Sequence, residues 1–135
     1  MGLQSIDRKL KDLEQSLSTI ALRVNQLRDQ TTKQEAELEK LSTEEQEAAA
    51  NRKKLERELA EGEARLRNKR MRQNMIRNDK ELQALTHEVE SLKENNQRIE
   101  GELLVMMEGA NPRLAKIKEL SEALAQSRTE LAAGE

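Results

Sequence analysis

The chain has 135 residues, with 24 Lys and Arg, 26 Asp and Glu, one His, no Cys and no Phe, Tyr or Trp. Without aromatic side chains, which dominate the buried area of ordinary cores, a compact globule is excluded; without Cys, so are disulfides, thiolate nucleophiles and Cys-based zinc sites within these residues. A net charge of −2 does not suit a generic nucleic-acid binder, and the longest apolar run, Leu103 to Met107, falls far short of the roughly 18 residues of a membrane span.

The first residues lack the charged-then-apolar layout of a signal peptide. Ile6 stands where a myristoylation signal needs Ser or Thr. A soluble, cytoplasmic protein is the expectation. A composition that is 37% charged and rich in Leu, Ala, Glu, Lys and Arg marks long helices, provided the apolar residues keep a helical period.

They do. From the N-terminus the steps alternate between three and four: Leu3, Ile6, Leu10, Leu13, Leu17, Ile20, Val24 and Leu27. These are the a and d positions of four heptads. The same phase continues through Thr31, Gln34, Leu38, Leu41, Glu45, Ala48, Arg52, Leu55, Leu59, Gly62 and Leu66. This predicts one helix over about residues 3–71. Its stripe needs a partner, because a lone helix cannot hide it. The phase is lost near Met71 to Asn78, which predicts a turn over about 72–78. Asn78 with Glu81 has capping-box-like spacing, so a second helix starts there. It covers about 79–108 on the seam Leu82, Leu85, Val89, Leu92, Asn96, Ile99 and Leu103. The step from Leu103 to Met107 reads as a stutter. Gly109-Ala110-Asn111-Pro112 then predicts a kink or break, with a further helix over about 112–133 on Leu114, Ile117, Leu124 and Leu131.

Two helices joined by a short connection pack antiparallel. The expected fold is therefore all-α: a single elongated domain over residues 1–135, forming a long antiparallel coiled-coil helical hairpin with a kink or break near 109–112. The register that centres the turn at 75–76 pairs Leu66 with Leu85, Gly62 with Val89, Leu59 with Leu92 and Leu55 with Asn96. Registers one heptad either way keep the same phase. A parallel homodimer of unbroken helices is the alternative. In the favoured register Leu3, Ile6, Leu10 and Leu13 have nothing to cover them. Either the chain is part of a longer one, or residues 3–13 pair with a second copy.

The stretch Arg77-Asn78-Asp79-Lys80-Glu81-Leu82-Gln83-Ala84-Leu85-Thr86-His87-Glu88-Val89 resembles the "N-x-K-E-x-x-A-L-x-x-E-(I/V)" signature of the bacterial coiled-coil plus C4-type zinc-ribbon proteins. Arg98 to Glu108 resembles that family's "LE-x-E-(I/L)-L-x-x-M-E" stretch, and Leu3-Gln4-Ser5-Ile6-Asp7 its "LQ-x-(I/L)-D" start. The resemblance implies a helical hairpin followed by a zinc ribbon. It also implies partners among sigma-54 factors, flagellar or type III secretion components, and RNA. The four-Cys ribbon is absent here, so no cofactor is expected in this chain; zinc would belong to a missing C-terminal ribbon.

Between Arg65 and Lys80 lie seven basic residues, Arg65, Arg67, Lys69, Arg70, Arg72, Arg77 and Lys80, against one acid, Asp79. The segment is net +6, which leaves −8 for the rest of a chain of net −2. In a hairpin these residues form a basic cap at the turn. Such a cap attracts an acidic protein surface or phosphates, or it is a solvated turn whose charge keeps tips apart. A protein partner is expected before nucleic acid, since no aromatic is available to stack a base. Met71, Met75 and Ile76 either plug the seam under the turn or offer apolar contacts to a partner. His87 falls at an outward position. Glu61 with Arg65 and Glu63 with Arg67 have i,i+4 spacing. No Gly-rich phosphate loop, nucleophile elbow or metal motif occurs, so a non-enzymatic adaptor or chaperone-like binding protein is expected, with a structural spacer as the alternative.

Overall fold

The computed structural model describes residues 2–134. They form two helices, α1 (Gly2–Met75) and α2 (Asp79–Gly134), joined by Ile76, Arg77 and Asn78. The architecture is the all-α antiparallel hairpin that the heptad period predicts. Strong helix formers fill both elements. Several Thr residues fit by bonding back onto the preceding turn, as Thr31 Oγ1 does to the Leu27 carbonyl at 2.7 Å and Thr86 Oγ1 to that of Leu82 at 2.8 Å.

The turn is shorter than the sequence suggests. α1 continues past residue 71 to Met75, and its final bond runs from the Ile76 N–H to the Arg72 carbonyl at 3.1 Å. The heptad phase does not in fact break at Met71. It passes through Lys69, Gln73 and Ile76, all half-buried, and only the polar character of the first two hides it. Asn78 is the N-cap of α2: its Oδ1 accepts from the N–H of Lys80 at 2.9 Å and of Glu81 at 3.4 Å. Asp79 and Glu81 then occupy the first turn of α2, where the helix dipole favours acids.

The packing divides into two units, one of Thr43–Leu114 and one joining the residues up to Ser42 to those from Ala115 onward. In the Thr43–Leu114 unit the register differs by one heptad from the one centred at 75–76. Gly62 lies against Asn96, not Val89: a Cβ built on Gly62 would collide with the Asn96 Oδ1. Arg113 Nε donates to Glu45 Oε2 at 2.9 Å, and both side chains are largely covered. Stepping by heptads from these pairs sets Leu66 opposite Leu92, Leu59 opposite Ile99, Leu55 opposite Leu103 and Ala48 opposite Ala110. The physical reason is side-chain matching. The alternative register would set Arg113 against Leu38, leaving a charge facing hydrocarbon, and would crowd Asn96 against Leu55 where Gly62 now leaves it room.

The same pairing removes the expected stutter. The α2 seam runs from Leu103 through Met106, Ala110 and Arg113 without a phase change. Ala110 is buried, whereas Met107 and Leu114, which the sequence suggests as seam residues, are exposed. Pro112 lies inside α2, which is unbroken through Gly109–Pro112, so no separate helix begins at 112. The cost is local: Pro112 has no N–H to offer the Glu108 carbonyl.

In the other unit a Cβ on Gly134 would sit 3.4 Å from Val24 Cγ2. This contact places Thr31 opposite Ser127, both buried, and Leu38 opposite Leu120. Arg128 Nη2 reaches Glu35 Oε1 at 3.0 Å across the two helices. Leu3, Ile6, Leu10, Leu13, Leu17 and Ile20 are 52–80% exposed, so the uncovered stripe has six residues rather than four.

Two outcomes test this seam. Neither amide atom of Asn96 has a hydrogen-bond partner although the residue is buried. Removing such a group relieves about 1–3 kcal/mol. Asn96→Leu should therefore raise the melting temperature and loosen the register. A Leu59→Cys, Leu92→Cys pair, silent in the parent, should begin to cross-link in that background. Glu45→Ala should cost about 1–3 kcal/mol in chemical denaturation, because Arg113 is left partly buried and unpaired. The double change Glu45→Leu, Arg113→Leu should restore or exceed parental stability.

Candidate functional site

The end of the hairpin at the turn is where charge and exposed apolar surface meet. The local register decides what each residue there does. Lys69 is a seam residue: its Nζ lies 2.8 Å from Glu88 Oε2 on α2. Nearby, Gln73 Nε2 donates to Thr86 Oγ1 at 3.3 Å. The hydrogen bond from Lys69 and its charge, with a further contribution from Arg72, hold the Glu88 carboxyl below its ordinary range. Lys69 thus serves the hairpin and is not a free cation.

The other six basic residues are different. Arg65, Arg67, Arg70, Arg72, Arg77 and Lys80 are all exposed, and none of them forms an ion pair among the described residues. The Glu61–Arg65 and Glu63–Arg67 pairs suggested by spacing are not formed. Intrahelical pairs that do form include Arg52–Glu56, Arg98–Glu102 and Lys116–Glu119. Four of the unpaired cations lie on the last three turns of α1, one in the connection and one in the first turn of α2.

Met71 and Met75 do not plug the seam. They are 59% and 74% exposed, and Ile76 alone of the three tucks under the turn. With about 100° per residue, Met71 lies roughly 200° around α1 from both Lys69 and Gln73, and so faces away from α2. A shallow groove on one flank of α1, running from the seam edge at Lys69 out to the methionines, is lined by Arg65, Asn68, Lys69, Met71, Arg72 and Met75. Its chemistry is an apolar strip edged by guanidinium groups.

His87 is exposed at its outward position. Among the described residues no three His, Asp or Glu side chains come together in a way that could hold a metal ion. A second exposed apolar area, missed by the sequence reading, lies on the outside of α2: Leu104, Val105 and Met107. Its signal was present in the chain, since an unbroken heptad through Met106 and Ala110 puts those three residues off the seam.

Residues 3–135 match the model of the CT398-like coiled coil hairpin domain, and the chain belongs to that family. No curated protein and no solved structure matches it. The family description is that of a coiled-coil hairpin, an element with a structural or binding role. Among the described residues no helix is long and apolar enough to cross a membrane.

The Lys69–Glu88 contact gives a titration test. A carboxyl with a lowered pKa in the folded state stabilises the fold above its unfolded pKa. That contribution is lost as pH falls through the lowered folded value. Lys69→Met should return the Glu88 carboxyl toward its ordinary range, read by side-chain NMR across an acid titration.

Proposed function

We propose that this hairpin is a non-enzymatic, cofactor-free binding element of the cytoplasm whose turn end engages an acidic surface on a protein partner. The observation that carries the reading is the set of six exposed cations without ion pairs, grouped beside exposed Met71 and Met75. Charges placed only for solubility are ordinarily interspersed with the opposite sign. Here seven bases and one acid occupy residues 65–80 of a chain that is net negative. A cluster of one sign speeds and steers encounter with a complementary surface.

The likeness of Arg77 to Val89 and of Arg98 to Glu108 to coiled-coil plus zinc-ribbon proteins supports a narrower version. In that version the partner is a sigma-54 factor or a flagellar or type III secretion component, and the hairpin works as an adaptor alongside a zinc ribbon. RNA is a weaker fit to the same cations, because backbone phosphates give no reason for the two exposed methionines and no aromatic stacks a base.

The test uses the full chain carrying a photo-cross-linker at Asn74. The expected result in native cells is an adduct with an acidic protein, lost when Arg67, Arg70 and Arg72 are changed to Glu and weakened by salt. An adduct untouched by charge reversal would remove the arginines from the mechanism, and the absence of any adduct at Asn74 would remove the turn end. Retention of single-stranded RNA on filters at about 50 mM salt, falling steeply with salt, would favour the nucleic-acid reading instead.

A further inference from the structure

We infer that the partner element taken by this surface is an acidic amphipathic helix, lying along the outer face of α1 over Met71 and Met75. The inference rests on the binding function proposed above and specifies its occupant. A purely electrostatic contact needs only the cations. It gives no role to two methionines that are 59% and 74% exposed on the face turned away from α2.

The arrangement on α1 is a strip with two charged edges. Met71 and Met75 are one turn apart, so their side chains form a continuous apolar ridge. Arg65 and Arg72 lie on one flank, with Asn68 between them in the groove lining. Arg67 and Arg70 lie on the other flank, since Arg67 is one turn before Met71 and Arg70 is farther round the same side. All four arginines are exposed and free of ion pairs among the described residues.

The complement of this pattern is an apolar stripe bounded on both sides by carboxylates. An amphipathic helix has that surface when Leu or Ile recurs at i and i+4 and Glu or Asp fills the neighbouring positions. Met is suited to the receiving side, because its flexible thioether adapts to the side chains laid on it. The guanidinium groups reach carboxylates along both borders and set the orientation. An extended acidic segment would match the charges but would not lay an unbroken apolar edge along the methionine ridge.

The test uses the full-length chain and two labelled synthetic peptides of identical composition. One places Leu at i, i+4, i+7 and i+11 with Glu on both flanks; the other distributes the same Leu and Glu residues evenly around the helix. The stripe-bearing peptide should bind at least about tenfold tighter in fluorescence anisotropy, a difference of about 1.4 kcal/mol, and become helical on binding. Met71→Gln, Met75→Gln should abolish that preference with the chain's melting temperature unchanged. Changing Arg67 and Arg70 to Glu should weaken both peptides. Equal binding of the two peptides, or a preference that survives loss of the methionines, overturns helix docking and leaves the acidic-surface reading standing. Binding of neither peptide also overturns the inference, while the Asn74 cross-link judges the broader reading separately. Self-association of the chain that excludes the peptide would assign the groove to a second copy and overturn it as well.

Discussion

The seam of the Thr43–Leu114 unit depends on where its misfit residues are put. Leucines opposite leucines are nearly indifferent to a shift of one heptad, since hydrophobic contact is non-directional. An amide, a charge or a missing side chain is not indifferent. Asn96 is seated in the space left by Gly62, and Arg113 meets Glu45. In the neighbouring register Arg113 would lose its carboxylate and Asn96 its room. The seam thus carries an orphaned amide and a largely buried ion pair, both costly, and gains a single alignment from them. The small pair Ala48 and Ala110 belongs to the same alignment.

That alignment shapes the surface at the turn. Adding one heptad to the paired region carries α1 on to Met75 and draws Lys69 and Gln73 into contact with Glu88 and Thr86. One of the seven cations becomes structural. The helical rotation that brings Lys69 and Gln73 inward also turns Met71 outward and leaves arginines on both sides of it. The basic cap is therefore not an even halo around a loop. It is a sided surface with an apolar ridge, and most of it belongs to α1.

The first helix, the start of the second at the Asn78 cap and their antiparallel return were legible, because a three-four period and an N-cap are local signals; the continuity of α2 through Pro112 was not. The clustering of charge in 65–80 was equally plain. The register was not, because several alignments share one heptad phase and differ only in which polar residues meet. Lys69 and Gln73 break the apolar pattern without breaking the helix, so apolar periodicity alone ends α1 before Met75. Met107 and Leu114 looked like seam residues because Ala110 and Arg113, which truly hold those places, are small or charged.

What periodicity and composition established was the class of structure and its apolar edge: 3.6 residues per turn leaves no other surface for a stripe spaced by threes and fours. What awaited the folded chain was the pairing across that edge. Whether Glu45 meets Arg113, whether Gly62 has room for Asn96, and whether Met71 points in or out depend on contacts between residues far apart in sequence. No local pattern encodes those contacts, because their energy arises only when both partners are brought together.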